Sequence, residues 1–181
     1  MNICVFCGSA AGESPHYAEV ARELGKLLAA SDHSLVYGGG NIGLMGILAD
    51  AVLEQGGEVI GVIPEFLLQR EVGHRGVSRL EVVNSMHMRK KRMADLSDAF
   101  IAMPGGWGTL DELAEILTWR QLGLINQPVG LLNTNNFFDP LLEQMRLMVD
   151  AGFLKAIHRN ALLVESSAEI LLGQLEQAIT I

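Results

Sequence analysis

Seven short runs rich in Val, Ile, Leu and Phe alternate with longer amphipathic segments along the chain, and few folds accept that rhythm. The runs lie near Asn2 to Cys7, Ser34 to Tyr37, Glu58 to Ile63, Leu80 to Val83, Phe100 to Met103, Val129 to Leu132 and Leu162 to Val164. Helices fill most of the gaps. The first is expected from Ser14-Pro15, an N-cap followed by proline, to about Ala30, and a second from about Ile42 to Gln55, stopped by Gly56-Gly57. Asp139-Pro140 repeats the cap-then-proline signal, and Ser166 or Ser167 is placed to cap the last helix. Strand–helix alternation with short connections implies right-handed crossovers. The expected fold is therefore α/β and Rossmann-like, with a mostly parallel sheet covered by helices on both faces. At 181 residues, 49% of them hydrophobic and 20 of them glycine, the chain suits one such domain over 1–181. One stretch breaks the rhythm: Pro64 to Arg79 is polar, contains glycine and exceeds a normal strand-to-helix connection, a length that often carries function.

A formal charge of −8 excludes the broad basic field that nucleic-acid binding needs, so any phosphate ligand requires a local site. Met1 is followed directly by the apolar run Ile3 to Phe6, with no basic leader, and no apolar stretch reaches membrane-spanning length. A cytoplasmic protein with no membrane partner is expected. Cys4 and Cys7 spell C-x-x-C, but within a strand their Cα atoms stand about 10 Å apart at about 3.3 Å per residue, beyond the ~7 Å reach of a disulfide. They are expected to be core thiols. Histidines 16, 33, 74, 87 and 158 show no zinc-type spacing and are expected at packing or surface positions, with no metal site.

Two glycine loops each leave a strand and enter a helix. Gly38-Gly39-Gly40-Asn41-Ile42-Gly43 formally satisfies G-x-G-x-x-G, yet the acid that would hold a dinucleotide ribose is misplaced, because Glu58 falls at the start of the next strand. This loop is either a tight packing turn or a contact for the phosphate or sugar of a smaller nucleotide. Pro104-Gly105-Gly106-Trp107-Gly108-Thr109 is more informative, since glycines leave main-chain N–H groups uncovered at a helix start, where the dipole favours an anion. Thr109-Leu110-Asp111-Glu112 then reads in two ways. It matches a capping box, or it sets the Glu112 carboxylate one turn from a phosphate cradle, where it can face the anomeric carbon of a nucleotide.

Between the loops, Met86, Arg89, Met93 and Leu96 share one helical stripe, so Arg89 points where its neighbours are apolar. A guanidinium there needs an anionic partner, either a substrate phosphate or Glu112. Lys90 is a further candidate, whereas Lys91 and Arg92 are expected to face solvent.

Taken together, PGGWGTLDE (Pro104 to Glu112) and MHMRK (Met86 to Lys90) resemble the LONELY GUY (LOG) family of cytokinin riboside 5′-monophosphate phosphoribohydrolases. The likeness continues through VFCGS (Val5 to Ser9), VYGGGNIGLMG (Val36 to Gly46), GVIP (Gly61 to Pro64) and LTWRQLG (Leu117 to Gly123). It implies hydrolysis of an N6-substituted or plain adenosine 5′-monophosphate to base and ribose 5-phosphate, with no metal or redox cofactor, by a homodimer with its site near the subunit interface. Carried onto this chain, it makes Arg89 and Glu112 catalytic. It also gives substrate contacts to Glu71, Lys90, Gly105, Gly106, Trp107, Gly108, Thr109, Leu110, Asp111 and Thr118, with Ser9, Gly39 and Gly40 in the flanking loops. The family's MHERK has glutamate where this chain has Met88, and its frequent Tyr or Phe is Trp107 here. Such proteins are often labelled lysine decarboxylases, a name that the four lysines, Lys26, Lys90, Lys91 and Lys155, do not support. Two competing readings share the glycine loops: a non-catalytic nucleotide or molybdenum-cofactor carrier, and a broader nucleotide nucleosidase without a cytokinin role.

Overall fold

All seven strands of the computed structural model, which describes residues 1–68 and 73–180, pair in parallel. Their order across the sheet is β4 (Arg79–Val83), β3 (Val59–Pro64), β2 (Ser34–Tyr37), β1 (Asn2–Phe6), β5 (Ala99–Ala102), β6 (Val129–Leu132) and β7 (Leu162–Glu165). From β1 the chain winds outward to β4, then returns to the far side of β1 and winds outward again. That reversal leaves a crevice at the carboxyl ends of β1 and β5, the place where open α/β sheets bind ligands.

Side-chain alternation along β1 divides the core in two. Ile3, Val5 and Cys7 pack with Leu24 and Leu28 of α1 (Pro15–Ala30), Leu48 and Val52 of α2 (Gly43–Glu54), and Leu171 and Leu175 of α8 (Ala168–Thr180). Cys4 and Phe6 face the other way, onto Met93 of α4 (Met86–Asp95), Leu113 and Ile116 of α5 (Trp107–Gln121) and Met145 of α6 (Asp139–Asp150). Helices thus cover both faces, as the near-continuous apolar strands require. Cys4 and Cys7 lie buried in opposite layers as free thiols. Two short helices, α3 (Glu65–Leu68) and α7 (Ala156–Asn160), complete the set among the described residues, and none of these helices is long and apolar enough to cross a membrane.

The strands fall within a residue or so of their expected limits, but several caps differ. Ser14 makes no side-chain cap, so Pro15 at the first turn carries the start of α1. Asp139 lies inside α6 rather than at its cap: Asn133 holds that corner, accepting the Phe138 N–H through Oδ1 and donating through Nδ2 to Asp139. Gly56, at φ +74°, does end α2, and Ser167 Oγ accepts the Ile170 N–H at the start of α8.

Candidate active site

The loops after β1 and β5 touch across the crevice, Gly8 N–H donating to the Pro104 carbonyl at 3.1 Å. A Cβ on Gly105 would come within 2.1 Å of Thr109 Oγ1 and 2.9 Å of Gly8 N, so only glycine fits there. Gly106 is the N-cap of α5, has no side-chain capping bond, and its carbonyl accepts the Leu110 N–H at 3.2 Å. Added Cβ atoms on Gly106 and Gly108 would meet nothing within 4 Å. The first turn of α5 therefore presents its N–H groups toward an open surface, an arrangement suited to an anion. Trp107, 87% exposed, stands on the same turn.

This helix start overturns the capping-box reading of Thr109 and Glu112. The helix begins upstream of Thr109, whose buried side chain packs against the glycine loop, and Glu112 sits in the second turn. Thr109, Glu112, Leu113 and Ile116 share the stripe that faces the sheet, which aims the half-buried Glu112 at the carboxyl end of β1. Its charge is felt there: burial first, then Glu112, pushes the Cys7 thiol far above its ordinary range, and Cys4 is raised by the same two causes in the same order.

Arg89 enters the crevice from the β2–β3 side and is only 4% exposed. Its Nε donates to the Val62 carbonyl at 3.1 Å and its Nη2 to the Gly38 carbonyl at 2.7 Å, while Nη1 lies 3.8 Å from Met86 Sδ. A Cβ on Gly38 would stand 2.0 Å from Nη2, so the guanidinium occupies the space left by that glycine. Main-chain carbonyls thus share the role that the stripe pattern assigned to an anion alone. Arg89 and Glu112 both act electrostatically on Cys4, in opposite senses, from the two sides of β1.

The first glycine loop is arranged differently. Leu44 and Met45 N–H groups, at the start of α2, donate to the Gly8 carbonyl at 3.0 and 3.4 Å, so the neighbouring loop already caps this helix. Gly43, at φ +61°, has room for no side chain, since a Cβ would lie 2.3 Å from the Ser9 carbonyl carbon. Gly39, at φ +75°, packs under Ile63 and Leu80, and Gly40 bridges Gly73. Gly39 and Gly40 sit where loops meet; Ser9, beside them, is exposed. Glu58 lies at the opposite end of the sheet, accepting from Ser34 Oγ, too far round to hold a ribose at the glycine loop.

Lys90 Nζ stands between Asp111 and Glu115 of α5, at 3.0 and 3.3 Å, tying α4 to α5 beside the crevice. Burial alone would lower its pKa, but hydrogen bonds to Asp111 and Glu115 outweigh that and raise it. Leu110 is half-buried, Asp111 is exposed, and Thr118 lies further along α5, its hydroxyl donating to the Ala114 carbonyl. Lys91 pairs with Asp95 on the surface, and Arg92 grips Glu81 of β4 through Nε and Nη2. Glu71 lies outside the described residues. Two contributions escaped the sequence: the Gly38 carbonyl that receives Arg89, and the Gly8 carbonyl that caps α2. Their motifs marked the glycines, but not where their carbonyls point.

Comparison with known proteins adds a name to this geometry. A family model described as "Possible lysine decarboxylase" matches residues 45–175. The chain is 48% identical over 177 residues to the cytokinin riboside 5′-monophosphate phosphoribohydrolase LOG of Oryza sativa subsp. japonica, covering 98% of this chain and 73% of that protein. It is 47% identical over 177 residues to LOG1 of Arabidopsis thaliana, which bears the same activity name, covering 98% and 83%. Among solved structures, the molybdenum cofactor carrier protein of Chlamydomonas reinhardtii superposes with a TM-score of 0.72 at 24% identity over 99% and 98% of the two chains, a likeness of fold.

Proposed function

The chain belongs to the LOG family of cytokinin riboside 5′-monophosphate phosphoribohydrolases, and on that premise we propose that it cleaves adenosine 5′-monophosphates, plain or N6-substituted, to free base and ribose 5-phosphate. The observation that carries the reading is a charged pair at one crevice: buried Arg89 and half-buried Glu112 flank β1, beside an α5 start that has no side-chain cap.

In this reading the 5′-phosphate rests on the N–H groups of Gly106 to Thr109, with Trp107, Leu110, Asp111 and Lys90 around it and Thr118 further along α5. The C1′–N9 bond breaks with its electron pair leaving on the base, and Glu112 sets its negative charge against the cationic sugar. A water oxygen then bonds to C1′, its proton passing to the Glu112 carboxylate and on through solvent to the departed base, which restores the carboxylate and leaves the base neutral. Arginine stays protonated at any ordinary pH, so Arg89 acts as a fixed positive clamp rather than as an acid. Its rigid anchorage to two carbonyls suits that role.

The whole chain serves as one nucleotide-binding domain in this account, working as a homodimer in the cytoplasm, where its two thiols remain reduced. Exposed apolar side chains at both ends of the site's own helix, Trp107 at its start and Leu122 and Leu124 just after its last turn, support a subunit contact along that helix. Incubating the protein with adenosine monophosphate and with isopentenyladenosine monophosphate, then separating the products, tests the reading. Free base from both is expected; nucleotide that binds and stays intact would leave a carrier, and equal rates on all nucleotides a broader nucleosidase.

A further inference from the structure

Beside the first glycine loop stands a histidine that the proposed chemistry does not use. His74 is buried, its Nε2 lies 2.9 Å from Asp50 Oδ1 on α2, and its Nδ1 accepts the Gly76 N–H at 3.2 Å. An accepting Nδ1 places the proton on Nε2, so the ring is neutral and donates to Asp50. The His74 main-chain N–H donates in turn to the Gly39 carbonyl at 2.9 Å, and the preceding Gly73 forms an antiparallel bridge with Gly40.

Gly39 follows Gly38, whose carbonyl receives Arg89 Nη2. Three glycines in a row bring no side chains of their own to hold that carbonyl in place, and glycine restricts its backbone least of all residues. The loop must be held from outside. We propose that His74, fixed by Asp50, is a positioning residue for Arg89: it pins the Gly38–Gly40 loop and so keeps the acceptor carbonyl where the guanidinium needs it. The kinetic part of this inference rests on the phosphoribohydrolase reading.

Asp50→Ala is the first variant to make, because the Asp50 side chain is 58% exposed and its loss leaves no hole in the core. Asp50→Asn keeps an acceptor for Nε2–H, and His74→Leu removes the ring's bonds altogether. With adenosine monophosphate as substrate, Asp50→Ala and His74→Leu are expected to lower kcat by about tenfold while KM stays within about threefold, since a displaced arginine keeps its charge but loses its alignment. Asp50→Asn is expected to recover wild-type kcat, a rescue that a merely electrostatic role of the carboxylate does not produce. Amide exchange at residue 74 should quicken in Asp50→Ala and His74→Leu alone.

Wild-type kcat in Asp50→Ala, or equal losses in Asp50→Ala and Asp50→Asn, would overturn the proposal. If the wild-type protein releases no base, the activity reading fails separately, and amide exchange decides the positioning role. Unchanged exchange at residue 74 in Asp50→Ala then overturns it, and faster exchange upholds the pin.

Discussion

A methyl group at Gly38 would lie 2.0 Å from Arg89 Nη2, so alanine there must either shift the loop or expel the guanidinium from its carbonyls. Gly38→Ala is accordingly expected to keep the circular dichroism of the fold while lowering kcat/KM by roughly a hundredfold, the scale of a small misplacement at a reacting centre. Wild-type kinetics in that variant would mean that Arg89 need not sit where it does. At this scale the sequence was legible in part. Arg89 could be read as inward-facing because its stripe contains Met86 and Met93, and burial follows that stripe. Glu112 could not be resolved, because T-x-x-E fits a capping box as well as a catalytic turn. What removed the capping box was the start of α5 at Trp107, set by glycines that permit more than one entry into the helix.

At the scale of elements, the second glycine loop divides into glycines required by space and glycines open to solvent. Gly105→Ala drives a Cβ into Thr109 and the Gly8 main chain, and is expected to cost about 1–3 kcal/mol of stability by denaturant unfolding. Gly106→Ala meets nothing, and is expected to leave the unfolding midpoint unchanged while weakening adenosine monophosphate binding measured by calorimetry. Equal destabilisation by both would reject that division. On the far edge, hydrogen bonds from Arg92 hold the Glu81 carboxyl below its ordinary range. A lowered carboxyl pKa stabilises the fold above the unfolded value and loses that contribution as pH falls through the folded one. Arg92→Gln should therefore cost at most about 1 kcal/mol near neutral pH, the pair being partly exposed, and nothing in strong acid. The strands and most helices were legible because their periods and breakers are local. The N-caps at Phe138 and Gly106 were less so, because proline next to aspartate and threonine before glutamate imitate caps one to three residues away.

Across the whole molecule, the winding reversal between β1 and β5 brings together groups from distant parts of the chain: the Gly8 loop, Arg89 on α4 and Glu112 on α5. Strand order was not readable from the rhythm of the sequence, since parallel crossovers of similar length allow several orders; the glycine loops only marked which strand ends mattered. In the proposed function, an acidic chain of charge −8 takes its anion at a helix start rather than over its surface. The exposed Trp107, Leu122 and Leu124 lead us to expect sedimentation at twice the 19.6 kDa chain mass, shifting to a monomer in Leu124→Glu; a wild-type monomer would leave the site within one chain. The most direct test compares wild type with Glu112→Gln on adenosine monophosphate, measuring adenine, ribose 5-phosphate and bound nucleotide together. Wild type is expected to release base and sugar phosphate in equal amounts, and Glu112→Gln to bind the nucleotide as tightly while turning it over roughly a thousandfold more slowly. Near-normal turnover by Glu112→Gln would contradict the account.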